Sequence, residues 1–556
     1  MHKVTFLPEE KTVRVAHGTS ILEAARAAGV PIEAPCNGAS ICGKCRVRLA
    51  EGDLARISRG GAPLLSEAER AEGCVLACSA GILGDIRVTR ETGGDAQTKT
   101  QIMEKGVSFE VRLAPEIGKE YAPERDETAV RAGGALRGVE RGDTRGALCG
   151  IVADIGTTTL VAELVDMTSG RTLATRSAVN PQTAYGQDVL SRIAFASTPQ
   201  GLAALRDLIV REINAMTAAL CEGAGVRADR VYELVLCGNT AMLHLAMGVD
   251  PSSLSKVPFV SRLRGGESAD AGEKGFDISP FGLAYLPPIL SAYVGADISA
   301  GILAARLHAR AGRSLFIDIG TNGEMIVADN GRLCAASTAA GPAFEGMNIR
   351  CGMRAATGAI ERFELDAAGG VALRTIGGAP PCGICGSGLI DIAGELVKAG
   401  VIDETGKFES PAALPPRLAA RMIGEDGMPA FSVAPGIALT QRDVRQVQLA
   451  KGALRAGVET LLAIVGLRAE ELDRVLIAGS FGYHLRAESL INTGLLPRAF
   501  AGRIEFLGNT AQSGGRAFLL NRAHRAEIAA LVREAEVVEL ANRAEFNELF
   551  IDCLNF

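Results

Sequence analysis

The sequence predicts a multidomain chain of α+β and α/β type. A small β-rich module covers residues 1–90, a connector or small middle subdomain covers 91–148, and a duplicated α/β unit in two halves covers 149–556. Three observations carry this. Two alternating strands, a capped helix and a cysteine loop crowd the first 90 residues. The next stretch is rich in Gly, Arg, Glu, Thr and Ala, with weak periodicity. From Cys149 onward strands and helices alternate, and one strand-and-turn pattern occurs twice. At roughly 150 residues per domain, 556 residues allow three or four domains.

In the first module, Val4-Thr5-Phe6 and Val13-Arg14-Val15 alternate as strands around the turn Pro8-Glu9-Glu10. Ser20 caps a helix that runs through Ala28, and Gly29 ends it. A cysteine loop follows, then the strand Arg46-Val47-Arg48-Leu49. That order is the order of a β-grasp ferredoxin.

The cysteines fall as C-x5-C-x2-C at Cys36, Cys42 and Cys45, with a distant fourth at Cys78. A 2Fe-2S cluster takes four thiolates, three from one tight loop and one from elsewhere. Gly38 and Gly43 let the loop backbone close over the sulfides. Cys78 is the better fourth ligand because Leu76-Ala77-Cys78 enters an apolar stretch; Cys74 is its rival. Four thiolates also suit zinc, but zinc sites usually pair two C-x2-C knuckles and this stretch has one. The module resembles 2Fe-2S ferredoxins over about 85 residues, and its x5 spacing is closer to the adrenodoxin type than to the plant type.

Residues 91–148 read as a flexible connector with at most a small subdomain near Val107–Leu113, either a mobile tether for an electron carrier or a plain linker.

In the third region, Ile151-Val152-Ala153-Asp154-Ile155-Gly156-Thr157-Thr158-Thr159 resembles Leu315-Phe316-Ile317-Asp318-Ile319-Gly320-Thr321-Asn322-Gly323. Each is a buried strand ending in Asp, followed by a glycine turn that offers N–H groups, hydroxyls or amides to phosphate oxygens. Asp154 is placed to hold Mg2+ through water, and Asp318 occupies the same place in the other half. One such turn is weak evidence; two about 160 residues apart are much stronger. Gly479, Ser480 and Gly482 follow a buried strand where a backbone must approach a nucleoside closely, and Val235-Leu236-Cys237-Gly238-Asn239 has the same shape. Together these turns resemble the fold shared by acetate and sugar kinases, chaperone ATPases and actin, the ribonuclease H-like fold, over Cys149 to Phe556.

Two polar loops, Asn180 to Asp188 and Tyr293 to Asp297, offer Gln182 or Asp297 to orient an attacking water; spacing does not choose, and each also suits a plain surface loop. The C-x2-C at Cys382 and Cys385 suits a helix start better than a redox dithiol. His244 and His484, beside glycine turns, read as structural histidines.

Composition excludes other classes. With 47% hydrophobic and 22% charged residues the chain buries large cores and is not disordered. Its net charge of −6 and lack of basic tracts argue against nucleic acid. No apolar run reaches the ~18 residues of a membrane span, and Met1 to Lys11 lacks a signal-like apolar core. A cytoplasmic protein is expected, and of its 13 cysteines the clustered ones read as metal ligands rather than disulfides.

With Gly341-Pro342-Ala343-Phe344-Glu345-Gly346 and Gly383-Ile384-Cys385-Gly386-Ser387-Gly388 added to these motifs, the whole chain resembles the reductive activators of corrinoid proteins. The resemblance implies that the cluster passes one electron to the Co(II) corrinoid of a methyl-transfer protein, restoring Co(I), with ATP making the uphill step possible. It also implies a homodimer, a low-potential electron donor, a corrinoid-protein partner, and Gly341 among the nucleotide-binding residues. One departure is the connector, short for the separate middle domain some relatives carry. The alternatives are a metabolite kinase with a fused redox sensor, a ferredoxin on a non-hydrolysing actin-like scaffold, and an activator of the 2-hydroxyacyl-CoA dehydratase type. The last couples ATP to a 4Fe-4S center between subunits, which the front cysteine loop and the chain length disfavor.

Overall fold

The computed structural model describes the chain except residues 31, 33, 35–37, 39, 41–42, 59–63, 66, 91–106, 108, 110, 310, 426 and 480–484. Cys36, Cys42, Ser480, Gly482 and His484 therefore lie outside the described residues.

The front module is a five-stranded mixed sheet wrapped around one helix. The strand order is Lys11–Val15, His2–Leu7, Ile86–Arg90, Arg46–Leu49, Cys74–Leu76. His2–Leu7 runs antiparallel to its hairpin partner and parallel to Ile86–Arg90. Alternation sends Val4, Phe6, Val47 and Val88 inward, against Ile21, Leu22, Ala24 and Ala25 of the helix Ile21–Ala27. Ser20 and Glu23 form a reciprocal capping box at that helix's start. This is the β-grasp arrangement.

In the region expected to be a connector or a small middle subdomain, the described part is a small subdomain, placed later than expected. Ile117–Ala122, Glu127–Ala132 and Ala135–Arg141 form a three-stranded antiparallel sheet, well beyond Val107–Leu113. Ile117 and Val130 anchor it in the same core as Leu148 and Tyr232. Lys119 crosses into the neighboring half, its Nζ donating to the Tyr232 hydroxyl at 2.7 Å and pairing with Glu140 at 2.9 Å. The chain on either side is pinned as well: Val107 N donates to Leu507 O and Ala114 N to Leu520 O, both at 2.8 Å. From Val107 onward the described chain is attached structure and not a tether.

Two sheets of matching topology follow. In the first, Arg171–Val179, Thr159–Asp166, Cys149–Ile155, Val231–Gly238 and Leu283–Leu286 lie in that order, with Glu267–Asp270 at the edge. In the second, Arg332–Thr338, Gly323–Asp329, Arg313–Ile319, Arg474–Ala478 and Ile504–Gly508 repeat it, with Glu536–Glu539 at the edge. In each, the strand that ends near the key aspartate pairs antiparallel with the next strand and parallel with the fourth. The near-continuous apolar runs of Val231–Gly238 and Arg474–Ala478 follow from burial on both faces. Helices Ala296–Ala304 and Thr510–Leu520 pack against each other between the sheets. This is the duplicated actin-like, ribonuclease H-like fold. Among the described residues, no helix is long and apolar enough to cross a membrane.

Candidate functional site: a thiol pair and a cleft between two phosphate turns

At the front pole, the Ala77 amide donates to the Cys45 carbonyl at 2.8 Å, which draws the end of the cysteine loop against the turn after Cys74–Leu76. Cys45 is buried and Cys78 is half-buried. A hydrogen bond to Cys45 and a second to Ser40 Oγ at 3.2 Å pull the Cys78 thiol down to about 6, against the opposing effect of burial. A thiolate is the form a metal binds, so the described part of the loop fits a cluster. Cys74 stands opposite Arg48 in the strand register and is 3% exposed in the module core.

The loop also touches the far half of the chain. Lys44 Nζ donates to the carbonyls of Arg350 at 3.0 Å and Gly352 at 3.1 Å.

The two phosphate turns face one another across the cleft. In the first, buried Asn180 donates from Nδ2 to the Gly156 carbonyl at 2.8 Å, and Arg192 donates to the Thr157 carbonyl at 2.5 Å. Because C=O and N–H point opposite ways in a trans peptide, the N–H groups of Thr157 and Thr158 are directed away from that buried side. In the second, Gly320 N closes the turn on Asn322 O at 3.0 Å. Gly479 sits so close that a Cβ there would lie 2.5 Å from Ile319 O and 2.8 Å from Asp318 Oδ1, which explains why the strand ends on glycine. Thr158 Oγ1 from one turn donates to Glu345 Oε2 at 2.6 Å, and Thr321 Oγ1 from the other donates to Glu345 Oε1. One carboxylate thus spans both turns. Gly341, at the head of the segment that carries it, donates its amide to Thr321 O at 3.0 Å. Thr159 and Gly323 begin the strands that leave the two turns.

Beneath the turns lies a concentration of acid. Burial raises Asp154 to about 6 against the Asn509 hydrogen bond, and burial with the charge of neighboring aspartates raises Asp318 to about 7 and Asp297 to about 8. Burial is the largest cause in all three; the Asp154 charge adds to it at Asp318, and the charges of Asp318 and Asp154 add to it at Asp297. Glu324 stands directly across from Asp318 in the strand register, and burial and the two aspartates push it well up. No ion pair engages these four groups among the described residues. Among those residues, too, no three His, Cys, Asp or Glu side chains close into a cage for a bare metal ion.

Of the residues considered for orienting water, only Asp297 joins this group. Gln182 is fully buried, with Nε2 on the Leu205 carbonyl at 2.9 Å and Oε1 near Arg192, so it braces the loop instead of facing the cleft. His244 is buried and satisfied on both ring nitrogens, by Thr240 O at 2.7 Å and Arg262 N at 3.2 Å. Cys385 caps the helix Gly386–Lys398 and bonds Ile360 O, while Cys382 is exposed near Met353 Sδ.

Several residues escaped the sequence reading. Asn509 Nδ2 donates to Asp154 Oδ2 at 2.8 Å, and Asn239 Nδ2 to Thr157 Oγ1 at 3.0 Å, while each Asn also caps its helix. The signal was present: Gly-Asn-Thr-Ala occurs at 238–241 and again at 508–511. Arg192 is a fully buried cation whose pKa burial lowers to about 10, against the charges of Asp188 and Glu345. Glu345 lies within the Gly341–Gly346 motif, where sequence alone gives it no role.

Comparison with known proteins agrees with this architecture. Residues 4–82 match the 2Fe-2S iron-sulfur cluster binding domain, 149–310 the RACo middle region, and 312–556 the C-terminal domain of RACo, the ASKHA domain. The family's middle region therefore falls on the first half of the duplicated unit and not on the connector, which removes the departure noted from sequence. The chain is 33% identical over 413 residues to the corrinoid activation enzyme RamQ of Eubacterium limosum, covering 72% of this chain and 69% of that one. It is 26% identical over 440 residues to the [Co(II) methylated amine-specific corrinoid protein] reductase of Methanosarcina barkeri, covering 73% and 77%. A solved structure, the reductive activator for corrinoid,iron-sulfur protein, superposes with a TM-score of 0.73 at 32% identity, covering 100% of this chain and 98% of that one. The chain belongs to the family of reductive activators of corrinoid proteins.

Proposed function

We propose that this protein is an ATP-dependent reductase that returns the inactive Co(II) corrinoid of a methyltransferase partner to Co(I), one electron at a time. The observation that carries the reading is the joining, within one chain related end to end to such an activator, of a Cys45–Cys78 thiol pair and two phosphate turns that face each other across a cleft.

The cluster, when bound, stores a single electron at low potential. Cys45 and Cys78 would hold it together with Cys36 and Cys42. Asn180 and Arg192 hold the first phosphate turn from behind, and its amides and those of Gly320 to Gly323 bind the phosphate chain. Asp154 and Asp318 would take Mg2+ through its waters, the usual mode for an ion that keeps its hydration and is shared with phosphate. Asp297, the most basic of the three aspartates, accepts the proton of the attacking water once bound magnesium nucleotide has ionised it. Asn509 keeps Asp154 oriented. Closure of the two halves on nucleotide helps the reduction only if open and closed forms engage the partner differently. A 10⁴-fold difference is about 5.5 kcal/mol, or roughly 240 mV for one electron. The homodimer and the low-potential donor rest on the family resemblance.

The test is anaerobic absorption spectroscopy of a purified Co(II) corrinoid protein with this protein and a reductant. Co(I) should accumulate with Mg-ATP, and Asp318→Ala should abolish the ATP effect while leaving the cluster spectrum intact. Co(I) formation at full rate in that variant would overturn the reading.

A further inference from the structure

The Glu345 carboxylate receives one hydroxyl from each half, Thr158 and Thr321, in the place where a phosphate chain has to lie between the two turns. The segment that carries it continues directly to the cluster loop. Gly346 closes a turn with φ of +75° and packs backbone to backbone on the residues that grip Lys44. A Cβ on Gly352 would lie 2.1 Å from Gly346 O, and one on Gly346 would lie 2.4 Å from Met353 O. The contact is chiefly backbone on backbone, with Ile349 Cβ the nearest side-chain atom, so a shift of Gly346 toward Gly352 has to displace it. Arg350 and Gly352 in turn supply the carbonyls that hold Lys44, between Gly43 and Cys45. The Arg350 amide is tied to Asp443 Oδ1 at 2.8 Å, in the capping box of helix Gln441–Val465. Interiors this tightly packed switch between arrangements and do not deform smoothly.

We propose that Glu345 is a positioning residue that couples nucleotide occupancy to the docking of the cluster loop. In the closed catch its carboxylate takes the hydroxyls that a phosphate would take. An incoming ATP phosphate displaces it by charge repulsion and by competition for Thr158 and Thr321. The displaced segment carries Gly346 and Gly352 with it, and the grip on Lys44 is released, freeing the cluster loop to face a partner. The coupling is reciprocal, since two linked equilibria change each other by the same factor. The inference rests on the reading of the cleft as an ATP site and adds how that site reaches the cluster.

The test is hydrogen exchange of the reconstituted full chain, with nucleotide affinities from calorimetry, and needs no corrinoid protein. In the unaltered protein Mg-ATP should increase exchange in the peptide spanning Gly43 to Leu49. In Glu345→Gln that peptide should exchange fast without nucleotide and not respond to it. The same variant should bind ATP roughly tenfold more tightly, about the worth of one competing charge-assisted hydrogen bond, and bind adenosine monophosphate, too short to reach both turns, as before. Lys44→Met, which leaves the cleft untouched, should also tighten ATP a few-fold. The proposal is overturned if Glu345→Gln responds to Mg-ATP as the unaltered protein does, if it weakens ATP, or if Lys44→Met leaves ATP affinity unchanged. Failure of the corrinoid-activator reading is distinguishable: the exchange response would persist with no Co(II) reduction.

Discussion

Binding of Mg-ATP should expel protons from the acid cluster. A magnesium ion and a phosphate chain favor ionised carboxylates beneath them, yet Asp154, Asp318 and Asp297 are held at about 6, 7 and 8. At pH 6.5 about a quarter of Asp154, three quarters of Asp318 and nearly all of Asp297 carry a proton, so binding that ionises all three releases about two protons. At pH 8.5 the same sum falls to about 0.3. The assay is titration calorimetry at pH 6.5 in two buffers of different ionisation enthalpy; the difference in observed heat counts protons directly. Asp318→Asn provides the internal control, because the nucleotide's own proton uptake cancels in the comparison. That variant should release fewer protons by at least roughly three quarters of one, since its loss also relieves Asp297. Equal heats in both buffers, or a proton count unchanged by Asp318→Asn, would refute the claim that these groups meet the magnesium nucleotide.

Stability should follow the same groups. Acids whose folded values are raised stabilise the fold at low pH and lose that contribution as pH rises through the folded values, so nucleotide-free protein should melt progressively lower from pH 5 to pH 8, and Mg-ATP should restore most of the loss at pH 8. Cys78→Ser should lose most cluster absorbance and bound iron on reconstitution, while Cys74→Ser should keep both; the reverse pattern would reassign the fourth ligand. Arg192→Met removes the donor on the Thr157 carbonyl and should weaken ATP at least tenfold by calorimetry, with the cluster spectrum unchanged. Asn509→Ala removes both a helix cap, worth about 1 kcal/mol, and the hydrogen bond to Asp154; it should lower ATP turnover and move the acid limb of its pH profile upward.

The front module was legible because each of its elements carries a local signal. Ser20 and Gly29 bracket the helix, and alternation at Val4-Thr5-Phe6 and Arg46–Leu49 sends apolar residues to one face. The two Asp-to-glycine turns were legible because burial on both faces of a central strand leaves an unbroken apolar run that stops at the cleft. The sheet at 117–141 was not legible, for a physical reason: among its apolar residues only Ile117 and Val130 are fully buried, so its strands alternate too weakly to stand out from a linker. Arg192 was not legible either, since an Arg on a short helix usually marks a solvated face and here it is the brace of the phosphate turn. Gln182 looked catalytic because its loop is polar, but the polarity serves internal hydrogen bonds. The Glu345 contacts join residues 187 and 24 positions apart, which no periodicity or spacing rule can register.

A single-turnover experiment follows the electron from cluster to cobalt. Protein reduced beforehand and freed of excess reductant is mixed anaerobically with a Co(II) corrinoid protein, and the cluster and cobalt absorption bands are followed together. Cluster oxidation and Co(I) appearance should proceed in step, one cobalt per cluster, only when Mg-ATP is present. Equal Co(I) yield without nucleotide, or nucleotide hydrolysis with no loss of cluster electrons, would contradict it.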